Sequence, residues 1–208
     1  MRIKTILNQI EKHPGFIYES VRWAGDQVES ALEVLVRPRS NSRPICSGCG
    51  KARPGYDTLG KRRFAFVPLW GIPAFLVYTM RRVQCPECGV VVEDVPWADG
   101  KRRITTSYAW FLARWAKRLS WLEVTKVFRS SWNTVFRAVE FAVEWGQEHR
   151  DLSGVAAIGV DEVLWKRGYG FMTVVYEITQ GRRRLLWGGE DRKEATLRAF
   201  FDWFGERK

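Results

Sequence analysis

Apolar residues follow a helical period at the start of the chain, a period of two through its first half, and a helical period again from about residue 106. Ile3, Ile6, Leu7 and Ile10 form one stripe that stops at Pro14-Gly15, which predicts a short helix within 1–13. Phe16 to Trp23 and Ala31 to Val36 alternate as strands around a polar Gly25-Asp26-Gln27 loop, and Pro38 to Pro44 breaks the pattern. Arg63 to Trp70 and Phe75 to Val83 are again extended in composition. The Gly71-Ile72-Pro73 turn between them makes this stretch a hairpin.

Beyond Pro96-Trp97-Ala98-Asp99-Gly100 the period changes. Tyr108, Phe111, Leu112, Trp115, Ala116 and Leu119 share one face of a helix from about Thr106 to Leu119. Ser120-Trp121-Leu122-Glu123 is a capping box, whose serine and glutamate side chains satisfy the free N–H groups of a new helix. Val124, Val127 and Phe128 exhaust that short helix. A third begins at Trp132 and is expected to turn Val135, Phe136, Val139, Ala142 and Val143 inward.

Asp151-Leu152-Ser153-Gly154 marks a second boundary, followed by strands over 156–162, 169–179 and 183–188 and a helix ending at Gly205, with Leu197, Phe200, Phe201 and Phe204 as its buried stripe. The short connections imply an antiparallel meander. The chain therefore reads as α+β in three parts: a β-rich module over 1–98, a helical module over 99–150, and three strands with a helix over 151–208.

Chemistry enters with the cysteines. All four lie in Cys-x-x-Cys pairs, Cys46/Cys49 and Cys85/Cys88, each followed by glycine, which permits the tight turn that aims backbone N–H groups at thiolates bound to tetrahedral Zn²⁺. The gap between the pairs exceeds that of most such sites, and the hairpin fills it. Disulfides and a redox pair are the competing readings. Met1 to Ile6 has no apolar signal core, which points to a reducing, cytosolic compartment.

Charge widens the picture. Lys and Arg number 34 against 23 acids, a net +11 over 208 residues, with the excess in clusters such as Arg62-Arg63, Arg81-Arg82, Lys101-Arg102-Arg103 and Arg182-Arg183-Arg184. A polyanion, most simply nucleic acid, is the expected partner; a solvated basic surface is the plainer alternative. No apolar run reaches membrane-spanning length. The second and third helices, joined by a tight turn, have a helix-turn-helix pattern, with Ser131, Asn133, Thr134 and Arg137 left outside. In that motif Asn reads adenine, Arg reads guanine, and Ser or Thr holds phosphate; a plain three-helix bundle is the alternative. Asp161 ends an apolar strand, where a carboxylate must be solvated, paired or metal-bound.

In order along the chain, the cysteine knuckles, Val95-Pro96-Trp97-Ala98, Leu119 to Val124, Ile158-Gly159-Val160-Asp161-Glu162, and Leu185-Leu186-Trp187 leading to Asp191-Arg192-Lys193 resemble insertion-sequence transposases of the bacterial ISL3 family. The resemblance implies a zinc finger and helix-turn-helix that bind the terminal inverted repeats of the element as double-stranded DNA. It also implies a ribonuclease-H-like Asp-Asp-Glu domain that uses Mg²⁺, with Asp161 as its first carboxylate. Two metal ions need more than one carboxylate. The second follows a fourth strand beside the first and the third lies on a later helix, both expected beyond this sequence, and Glu162, Glu177 and Asp191 do not occupy those positions. On this reading residues 151–208 are the first half of that domain, and the chain is a C-terminally truncated transposase of the cytoplasm and nucleoid. It is expected to bind DNA without cutting it and to pair with itself or a full-length transposase. A non-catalytic regulator of transposition and a zinc-dependent protein-interaction module are the alternatives.

Overall fold

A computed structural model describes residues 3–25, 30–166, 168, 170–181 and 183–207. Asp26-Gln27 of the expected loop, Tyr169 at the start of a predicted strand, and Arg182 of a basic cluster lie outside the described residues. The chain divides into two compact units, up to Gln147 and from Glu148.

The first unit contains α1 (Ile3–Ile10), β1 (Phe16–Ala24), β2 (Ala31–Pro38), β3 (Ile45–Cys46), β4 (Gly55–Leu69), β5 (Ile72–Cys85), β6 (Gly89–Asp94), α2 (Thr106–Ala116), α3 (Trp121–Val127) and α4 (Trp132–Glu148). Its sheet is organised by β5, which pairs with three other strands. β4 runs antiparallel along one edge. On the other edge, β2 pairs in parallel with the first half and β6 antiparallel with the second. Trp97 is 1% exposed at the centre of the core, with Phe16, Tyr78 and Phe64 edge-on at 4.9, 5.3 and 6.0 Å between ring centroids. Leu7 of α1 closes that core.

The change of period at residue 99 is a change of secondary structure within this compact unit. The Ala65 N–H donates to Arg103 O at 2.8 Å and the Thr105 N–H to Ala65 O at 2.9 Å, binding the segment before α2 to β4. Ala65 and Val67 then pack into the core of Tyr108, Leu112, Val124, Val135 and Ala138. Several expectations need correction. β4 starts well before Arg63, and β6 was not foreseen. α2 stops at Ala116, because the Arg118 and Leu119 N–H groups both turn back to Trp115 O. Val127, Phe136 and Val143 are exposed, since only Val124 of α3 and Val135 and Ala138 of α4 are fully buried.

The second unit is an antiparallel meander of β7 (Ile158–Lys166), β8 (Gly170–Glu177) and β9 (Arg184–Glu190), followed by α5 (Glu194–Arg207). Leu152, Val175, Leu186 and Phe200 form its core. Ile158 packs against them, whereas Val160, two residues further along β7, is exposed. Phe201, one helical step from Phe200, is 53% exposed, and α5 continues through Gly205.

Candidate functional site

The hairpin brings the two cysteine pairs together. Cys46 stands in β3 opposite Glu93 of β6, and Cys85 ends β5 opposite Gly89. All four Sγ atoms lie within 4.8 Å of one another, with Cys49 and Cys85 at 3.7 Å. Tetrahedral sulfurs about 2.3 Å from a zinc ion are separated by about 3.8 Å, so the cluster could hold a metal ion.

Local backbone chemistry shapes this cluster. Gly50 and Gly89 have φ of 69° and 75°, a region open to glycine, and each turns the chain just after a knuckle. A Cβ on Gly48 would come within 2.8 Å of Cys88 Sγ. The Gly50 N–H donates to Cys46 O at 2.8 Å, and the Cys46 N–H to Lys51 O at 2.9 Å. Burial raises the Cys85 thiol, but backbone N–H groups of Glu87 and Cys88 and the thiols of Cys49 and Cys46 outweigh it and hold it down to about 6. Cys88 is pushed up to about 12 by burial and by Cys46 and Cys85. Four sulfurs this close cannot all ionise without a cation among them. Glu87 anchors the rim, accepting from Lys51 at 2.9 Å and Arg53 at 2.6 Å. Sequence reasoning missed Gly48 and these three residues, whose roles depend on which knuckle faces which.

The helical residues lie on one exposed end. The Glu123 N–H reaches Ser120 Oγ while Glu123 accepts from the Ser120 N–H, forming the expected capping box. Ser131 is occupied locally, since Thr134 donates its N–H to Ser131 Oγ at 3.1 Å. Asn133 and Arg137 are exposed, opposite Val135 and Ala138, and Arg137 lies 3.6 Å from Glu140. Lys101 and Arg103 are exposed; Arg102 is partly buried, 5.0 Å over the Phe141 ring and 4.0 Å from Asp99.

Asp161 is exposed in β7, where its Oδ1 accepts the Glu162 N–H at 2.8 Å. The later acids have other tasks. Glu177 is fully buried and bound to Arg184. Asp191, with φ 69°, precedes α5 and accepts the Thr196 hydroxyl and the Lys193 N–H, which hold its carboxyl down to about 2. A depressed carboxylate contributes stability above its unfolded pKa and loses it on protonation. The start of α5 is therefore expected to loosen as pH falls from about 4, the ordinary aspartate range, towards 2. An Asp191→Asn variant whose circular dichroism keeps the same acid transition would sink this assignment. Among the described residues Asp161 belongs to no group of three or more acids close enough to share a metal ion, and no strand-transfer step is derived from it.

A family model described as a transposase, of the ISL3 Asp-Asp-Glu type, matches residues 158–208. The chain is 30% identical over 198 residues to the transposase for insertion sequence element IS1557 of Mycobacterium tuberculosis, covering 92% of this chain and 44% of that protein. It is 26% identical over 190 residues to the transposase for IS1001 of Bordetella parapertussis, covering 90% and 46%. It thus spans just under half the length of these relatives. No solved structure matches it significantly. Residues 158–208 thus belong to the ISL3 family of transposases, and the likeness to insertion-sequence transposases extends over nine-tenths of the chain.

Proposed function

We propose that the chain is the DNA-binding part of an insertion-sequence transposase, that it recognises double-stranded DNA at the terminal inverted repeats of its element, and that α4 reads the bases. The carrying observation is the exposed Asn133 and Arg137 at the start of a helix whose opposite side is buried. Asn and Arg are the side chains that make bidentate contacts to adenine and guanine in the major groove. In this reading Ser131, Thr134, Lys101, Arg102 and Arg103 contact phosphate, and Zn²⁺ on Cys46, Cys49, Cys85 and Cys88 is structural. Residues 1–98 carry the zinc site, 99–150 the helix-turn-helix, and 151–208 the opening half of a ribonuclease-H-like domain. The protein acts in the cytoplasm, on the nucleoid, with a second copy or a longer transposase as partner.

Asp161 takes the role of first carboxylate for Mg²⁺. Because Glu177 and Asp191 are engaged by Arg184 and by the cap of α5, the chain on its own binds DNA without cutting it. The same engagement favours a second reading, a non-catalytic regulator that occupies the ends in competition with an active transposase.

Asn133→Ala and Arg137→Ala are each expected to reduce discrimination between element-end and random duplex by about 1–3 kcal/mol. Equal losses on both DNAs would reassign these residues to the backbone. Incubation with labelled end DNA and Mg²⁺ is expected to give binding, no cleavage, and no change in Asp161→Ala. Cleavage that vanishes in that variant would refute the non-cutting reading.

A further inference from the structure

We infer that the turn between α3 and α4 and the tip of the β4–β5 hairpin form a clamp for the DNA backbone, in which Arg103 and Arg129 hold phosphates beside the exposed face of α4. This rests on the DNA-binding reading and adds to it a surface contributed by the zinc-bearing sheet.

A groove of about 290 Å³ has Pro68, Pro73 and Phe75 of the hairpin on one side and Arg103, Arg129 and Thr134 on the other. A second, of about 500 Å³, shares Arg129, Pro73 and Phe75 and adds Arg63, so the surface is continuous. Its walls are fixed to each other. The Ala65 bonds hold the backbone of Arg103 to β4, and Phe128, just before Arg129, packs edge-on against Phe111 at 4.8 Å. A surface already in place loses less entropy when its ligand binds.

The charge in this surface is unbalanced. Among the described residues neither Arg103 nor Arg129 has an acidic partner within ion-pair distance. Arg63 shares the single carboxylate of Glu33 with Arg22, at 3.1 and 2.7 Å, so that trio retains a positive charge. Burial and the nearby Arg103 charge both lower the pKa of Arg62, as expected of cations crowded together without an anion. Arg129 also sits at φ 47°, where a side chain is strained and glycine is at ease. The positive end of the α4 dipole adds to the attraction for an anion. The groove adjoins the exposed Asn133 and Arg137, so a duplex read by α4 would lay its backbone there.

Arg129→Gly separates charge from folding, since glycine accepts the left-handed conformation. Binding to a short fluorescein-labelled duplex of mixed sequence would be followed by anisotropy across a KCl series, with Arg103→Gln, Arg129→Lys and Arg137→Ala alongside. Each charge-removing change at 103 and 129 is expected to lower the slope of log affinity against log salt by about 1. Arg129→Lys is expected to keep the slope, and Arg129→Gly to melt no lower than the wild type. An unchanged slope in Arg129→Gly and Arg103→Gln, while the wild type binds the duplex with an affinity that falls with salt, would overturn the clamp and leave the DNA-binding reading intact. No binding by the wild type would overturn both. Displacement of the duplex by polyglutamate at equal charge concentration would also overturn the clamp, by making the surface a site for acidic protein.

Discussion

Replacing Cys85 with serine, or stripping the proposed zinc with a chelator, is expected to unfold the knuckle end of the first unit and abolish its specific DNA binding. The cysteines form a small cluster of their own with Val83 and Val91, separate from the core around Trp97. Apolar burial there is slight and β3 is two residues long, so without a metal Ile45 to Lys51 is held only by a two-pair ladder with β6, local backbone bonds and the exposed ion pairs of Glu87. Structural zinc supplies roughly 10–16 kcal/mol to isolated zinc-finger peptides at neutral pH, far more than this cluster can draw from its side chains. The loss should be local first. Amide exchange at Cys46 and Gly50, whose N–H groups bond Lys51 O and Cys46 O, should accelerate to that of an open chain, while Leu76 and Val34 in the main core remain protected. Metal analysis should find one zinc per wild-type chain. A protein that carries no metal, and whose exchange and melting are unchanged in Cys85→Ser, would remove zinc from the account.

The consequence for DNA follows from the sheet. β5 leads from the knuckle to the hairpin tip, and β4 returns beside it to Ala65, which is hydrogen-bonded to the segment before α2. A loosened knuckle therefore frees the far end of the ladder that supports Arg103 and the helices. Specific binding, which needs several contacts in fixed register, should be lost before non-specific attraction, which depends mainly on charge.

The parts of this arrangement that were legible in the sequence are those fixed by local chemistry. Paired cysteines with following glycines, the Ser120/Glu123 box and the Gly71 turn each carry their own geometric reason. Gly55 to Lys61 of β4 could not be read as strand, because all seven residues are exposed and no alternation marks them. They are held instead by β5, with Asp57 bound to Arg82 across the ladder. Phe136 and Val143 fit a helical stripe, yet which turns of α4 meet the other helices depends on packing that periodicity does not specify. Glu93 and Glu177 were invisible for a different reason. A charged residue reads as surface until its partner is placed, and Arg81 and Arg184 lie across strands from them. The left-handed Arg129 carries no sequence mark at all.

Glu93→Ala is expected to destabilise the first unit by about 3–5 kcal/mol, the cost of leaving a buried ion without its partner. The Glu93 side chain is completely buried, and its carboxylate accepts from the Tyr78 hydroxyl at 2.7 Å, the Arg81 N–H at 2.8 Å and Arg81 Nε at 2.8 Å. Burial, reinforced by the bond to Glu93, raises the Tyr78 hydroxyl well above the usual phenol range, so it remains a donor. Removing the carboxylate leaves two buried donors and a guanidinium only 15% exposed, with Ser42 O as its remaining acceptor at 3.2 Å. A loss of this size is a large fraction of the roughly 5–15 kcal/mol that stabilises a typical domain. Glu93 also stands opposite Cys46, so the damage should reach the metal centre and lower zinc occupancy. Glu93→Gln keeps an acceptor and should lose less. The double change Glu93→Leu with Arg81→Met removes both ions and should recover much of the loss, because a buried pair is worth little net of its desolvation. Urea midpoints for the four proteins, with zinc content measured on each, decide the matter. A loss below about 1 kcal/mol in Glu93→Ala, the size of an ordinary hydrogen bond, would mean that water reaches Arg81 and that the ladder does not depend on this carboxylate.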